Sequence, residues 1–162
     1  MASSAFYKFY RFVQDVGNIL HSLNGVDSIY CMLLNTVPVN TDTAVDTTTG
    51  TCQMVGSGAA EIAAASGYTK KGFLMTSVAW SQTTGVAKLT AAVASWTAGA
   101  AIGPFRYAVI FNDSRGTTAT RPPICWFDYG GAVSLGIGET FTVGNSNDGT
   151  AWTSTYPILS IT

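Results

Sequence analysis

Charge is what this sequence has least of. Lysine, arginine, aspartate and glutamate make up 10% of its 162 residues, against about 25% in an average soluble protein. His21 is the only histidine, and Glu61 and Glu139 are the only glutamates. Most side chains that do general acid–base or nucleophilic work are therefore scarce, which argues against an enzyme. A net charge of −1 supplies no basic field to hold nucleic acid. No apolar run reaches the ~18 residues of a membrane span, so no membrane partner is expected. After Met1–Ser4 the chain turns aromatic and basic, without the short aliphatic core of a secretory signal, and none is expected. Cys31, Cys52 and Cys125 are odd in number and lack CxxC spacing, which predicts reduced, partly buried thiols and synthesis in a reducing cytoplasm.

The scarcity has a second consequence. Free-living β proteins use charge to keep sheet edges apart and stay dispersed. A chain that is 47% hydrophobic and so thinly charged is suited to a working life against other protein, including further copies of itself as a dimer or trimer.

What is present reads as one domain over residues 1–162, mainly β. Phe6, Phe9, Phe12, Val13, Val16, Ile19, Leu20 and Leu23 recur at spacings of three and four, predicting an amphipathic helix over 5–23. Asn24-Gly25 would stop it. Its aromatics Phe6, Phe9, Tyr10 and Phe12 are candidate protein–protein contacts, because aromatic anchors carry much of the energy of interfaces. Ser28–Asn35 is almost wholly apolar, as a strand buried on both faces would be. A long loop is expected over 36–58, and a helical turn over the alanine-rich Ala59–Ser66. From Gly72 onward short strands (73–82, 86–94, 106–112, 123–129, 141–143 and 152–161) alternate with turn signals such as Thr84-Gly85 and Asn147-Asp148-Gly149. That spacing over 26–162 predicts a β-sandwich, jelly-roll-like in plan.

Each candidate reaction centre is thin. His21 has no partner at metal-ligand spacing and reads as a structural histidine. No serine stands in a GxSxG elbow. Asp128 and Glu139 could be drawn as a glycosidase pair, but Asp128 falls inside a predicted strand. Asn145–Gly149 offers one carboxylate where a calcium loop needs several. Gly56-Ser57-Gly58 lacks a phosphate-loop lysine, and Lys70-Lys71 reads as a solvated turn. No catalytic residue, metal or cofactor is expected. Trp80, Trp96, Trp126 and Trp152 leave a carbohydrate-binding face open, although aromatic enrichment serves a protein interface equally well.

Four segments in order carry a resemblance: Ser66–Gly72 (SGYTKKG), Gly103–Asp113 (GPFRYAVIFND), Trp126–Gly130 (WFDYG) and Gly138–Val143 (GETFTV). Together with the aromatic N-terminal segment and the strand ending Leu34-Asn35-Thr36, this order resembles small virion structural proteins of tailed bacteriophages. Within that group it is most similar to the jelly-roll cement, or decoration, proteins of the head. The resemblance implies a non-enzymatic protein on the outer surface of the virion, made in the host bacterial cytoplasm, with the major capsid protein as partner. A tail or head–tail connector component, or a carbohydrate-binding module on a fibre, is the alternative. Lys70-Lys71, where a glycine-rich turn is expected, and the long Asn145–Thr162 extension depart from the pattern.

Overall fold

A computed structural model of the chain describes residues 5–145 and 147–161. It is mainly β, with one short helix. The elements are β1 (Ala5–Lys8), α1 (Tyr10–Gly17), β2 (Ile29–Leu34), β3 (Ala44–Asp46), β4 (Gln53–Val55), β5 (Phe73–Leu74) and β6 (Ala79–Thr83). They continue with β7 (Val86–Thr90), β8 (Ala94–Thr97), β9 (Ile102–Asn112), β10 (Pro123–Leu135), β11 (Thr140–Val143) and β12 (Leu159–Ile161).

The central sheet runs β1-β10-β9-β2-β5, every pairing antiparallel. β2 lies inside it, and alternate residues feed opposite faces. Ile29, Cys31 and Leu33 join one apolar cluster with Ala108, Ile110, Cys125, Phe127, Leu89, Trp96 and Trp152. Met32 and Leu34 join the other, with Phe9, Val45, Met54, Val109, Phe111 and Trp126. The apolar run at 28–35 is therefore a strand covered on both faces, as its composition predicts. Smaller sheets β12-β7-β6 and β11-β8 contribute to the first cluster, and the β3-β4 hairpin to the second.

Four expectations are corrected. The 5–23 segment is not one helix. Residues 5–8 pair with Cys125–Asp128 of β10, and Tyr7 stacks on Trp126 at 4.0 Å between ring centroids. Aromatic residues fit a pleated, half-buried surface better than a helix, and the open edge of β10 supplies a ladder that helix would forfeit. Helix α1 ends at Gly17, where Leu20 N–H bonds Asp15 O and Ile19 N–H bonds Val16 O. This is the double bond pattern of a Schellman stop. The loop expected over 36–58 contains the β3-β4 hairpin, tied to the long β9-β10 connection by reciprocal backbone bonds between Val45 and Arg121. Ala59–Ser66 is not helical, because Glu61 is drawn inward. Its carboxylate accepts the Cys52 N–H at 3.0 Å and the Tyr68 hydroxyl at 2.8 Å, and Tyr68 Oη accepts the Leu33 N–H at 2.9 Å. Farther along, the stretch predicted as one strand over 73–82 is broken into β5 and β6.

Candidate interaction surface

Among the described residues, the N-terminal segment holds five of the eleven large hydrophobic side chains that are exposed. Phe9 precedes α1 in extended conformation and caps it with no side-chain hydrogen bond. Phe9 and Phe12 are fully buried, in the second and first apolar clusters respectively. They therefore hold the helix down and are committed to the core. Of the four sequence candidates, Phe6 and Tyr10 are left facing solvent, at 42% and 66% exposure. Val13 and Ile19, which the sequence pattern assigned to an apolar stripe, join them on the outside, as does Val26. Ile19 is extreme at 86% exposure, and its φ of 56° is a left-handed conformation that β-branched residues rarely adopt. Gly17 closes the helix with a poor helix former, but the left-handed stop position itself falls on Ile19, which no turn residue in the sequence marks.

A polar knot anchors this segment. The Asp27 carboxylate, 7% exposed as a residue, accepts from the Ser22 N–H at 2.6 Å, Asn112 Nδ2 at 2.7 Å and Arg115 Nη2 at 2.8 Å. Burial by itself would raise the Asp27 pKa; the hydrogen bonds from Arg115, Ser22 and Asn112 outweigh it and hold the carboxyl below its ordinary value. Asn112 Nδ2 also lies 3.1 Å from His21 Nδ1. A carboxylate can only accept, so the Asn112 amide nitrogen is the donor to both, and His21 Nδ1 is an unprotonated acceptor. Burial pushes the His21 pKa down, against the opposing pull of Asp15 and Asp27. Asp15, buried on α1, takes Arg11 Nε at 2.9 Å. His21 is thus a structural histidine, positioned after the helix and not on it.

Two concavities accompany the segment and the sheet. A cleft of about 330 Å³ is lined by Val16, Ile19, His21, Ser22, Leu23 and Trp80. A smaller, mainly apolar cavity of about 50 Å³ lies among Phe105, Phe127, Tyr129 and Phe141, with Arg106 among its lining residues. There Arg106 is locked to Asp128 by two parallel bonds of 2.7 and 2.8 Å, which lower the Asp128 pKa. Glu139 instead accepts the N–H of Gly136 in its own loop. The two carboxylates drawn as a glycosidase pair are each engaged separately.

The other sequence candidates have local structural roles. Asn145 is buried and organises its turn, accepting from Asn147 N–H and donating to Asp148 and Ala151. No group of three or more metal-ligating side chains occurs among the described residues. Lys70 and Lys71 do not form a solvated turn. Lys70 Nζ donates to the carbonyls of Thr47 and Thr49, and Lys71 Nζ meets Asp113 at 2.7 Å. All three thiols are free and buried; burial raises each pKa, that of Cys52 to about 12, so none is an activated nucleophile. Trp96 and Trp152 are buried, and Trp126 donates to Asn40 Oδ1 at 2.9 Å, leaving Trp80 as the most accessible of the four.

No family model, curated protein or solved structure matches this chain.

Proposed function

We propose that this chain is a non-enzymatic structural protein of a bacteriophage particle, a decoration protein that binds the major capsid protein on the outside of the head and stiffens the shell. In this reading the strands form a jelly-roll-like sandwich, and the N-terminal segment is the attachment surface. The observation that carries it is the set of exposed apolar side chains Phe6, Tyr10, Val13, Ile19 and Val26, all within one short stretch of chain. That stretch is pinned by buried Phe9 and Phe12 and by the Asp27 knot, so the side chains are presented from a fixed base. A fixed base lowers the ordering cost of binding. The scarcity of charge and the order of the four sequence segments point the same way. Many copies on one shell would convert a modest contact area into firm attachment through avidity.

The test is reconstitution. Purified protein is added to expanded heads lacking it, and copies per particle are counted by quantitative gel electrophoresis. Saturation at many copies spread over the shell supports decoration. A few copies per particle would place the chain at a connector or tail instead, and binding to a glycan array with none to the heads would favour a fibre module.

A further inference from the structure

The β6-β7 hairpin closes on Thr84-Gly85, with φ of 51° and 84°, the two left-handed residues of a type I′ turn. Thr83 and Val86 flank that turn as partners, so they form a hydrogen-bonded pair, and the pairs alternate from there. Trp80↔Leu89 and Gln82↔Ala87 are consequently non-hydrogen-bonded pairs, whose backbone groups point away from each other. On the β7 side this is visible directly, since Ile158 N–H bonds Leu89 O. On the β6 side the N–H and C=O of Trp80 and Gln82 point outward from the edge of the β12-β7-β6 sheet. Among the described residues no backbone group bonds to them.

This edge lacks charge, proline and a bulge, three common defences. β6 reads Ala-Trp-Ser-Gln-Thr. Among the described residues it is the longest strand at a sheet edge. β1 ends on Lys8, β5 is two residues long, β12 is three, and β3 is bridged to Arg121. The cleft containing Ile19 adjoins it through Trp80.

We infer that the β6 edge is a self-association site, at which a second copy of this chain adds its own β6 antiparallel about a two-fold axis through Ser81. The register is self-complementary. With Ser81 opposite its symmetry mate, Trp80 faces Gln82 of the second copy and Gln82 faces Trp80. The outward groups of both residues then pair, giving four backbone bonds in all. No like charges come into opposition. Gln82 of the second copy lies on the same sheet face as Trp80 and covers the exposed part of its ring, beside the strained and exposed Ile19. The joined hairpins make one continuous sheet of six strands. A five-residue strand addition is at the small end of protein interfaces, so the isolated pair is weak and gains strength only in an assembly.

The inference deepens the multi-copy reading and rests on it for its biological sense, but its test needs no shell. Sedimentation equilibrium of the purified chain, carried to high micromolar concentration, is expected to show reversible dimers. Ser81 is exposed, so Ser81→Lys folds normally, as checked by circular dichroism. It sets two cations about 4.5 Å apart (Cα to Cα) across the axis, with Lys88 already opposite Ser81 on β7. Dimerisation should weaken about tenfold or more. A one-to-one mixture of Ser81→Lys and Ser81→Asp chains should recover it as a heterodimer. A wild-type chain that stays monomeric, or a dimer unaffected by Ser81→Lys, overturns the edge assignment and leaves shell attachment standing. Failure to bind heads with a dimer intact does the reverse.

Discussion

His21 sets how the molecule responds to mild acid. In the folded chain burial keeps its pKa below the ordinary 6.5. The unfolded chain therefore takes up the proton first, and stability falls as pH drops through 6.5, levelling out once the folded-state value is passed. The carboxylates with depressed values, Asp27, Asp46, Asp128 and Asp148, lose their contribution only below 3.8. Since His21 is the only histidine, a fall in melting temperature between about pH 7 and pH 5 belongs chiefly to it. His21→Gln should flatten that fall; an undiminished fall in the variant would assign it to another group. The sequence predicted a structural role for this residue. It gave no sign of the partners Asn112, Asp27 and Arg115, because the knot joins side chains 85 to 91 positions apart.

The N-terminal elements divide cleanly into anchor and surface. Phe12→Ala empties a fully buried site and should cost about 3–5 kcal/mol in denaturant unfolding. Tyr10→Ala, two residues earlier and exposed, should change stability by less than about 0.5 kcal/mol, yet weaken binding to undecorated heads by about 2 kcal/mol or more. Ile19 occupies the position of the Schellman stop that glycine normally fills. Ile19→Gly should raise stability by about 1 kcal/mol, relief of the left-handed strain exceeding glycine's entropic cost. A loss of stability in that variant would show Ile19 packing productively in the isolated chain. β2 and most later strands were legible because their apolar patterns and turn residues act locally. The 5–23 helix was misread because phenylalanine at every third position satisfies a helical period, while the competing attraction is β10, more than a hundred residues later. The same is true of Ala59–Ser66, where Glu61, Cys52 and Tyr68 settle the conformation and alanine content does not.

At the scale of the whole molecule, the few charges are spent internally. Arg11, Arg106, Arg115, Arg121 and Lys71 form ion pairs, and Lys70 and Lys88 donate to backbone carbonyls. Among the described residues, Lys8 alone has no such partner. Attachment to a shell should therefore change little between low and high salt, since screening acts on charge–charge terms. A steep loss of head binding across a salt series would mean an electrostatic interface elsewhere on the surface. The pairing of β1 with β10 has a further consequence, in time. Phe6 is made more than a hundred residues before its partner Phe127, so the β1 edge of the central sheet cannot close until β10 has been synthesised. Closure across so long a loop is slow, on the scale of milliseconds to seconds for such β topologies. Throughout that interval the aromatic N-terminal strand is exposed and unpaired, and it is the segment on which aggregation and chaperone capture will compete with folding.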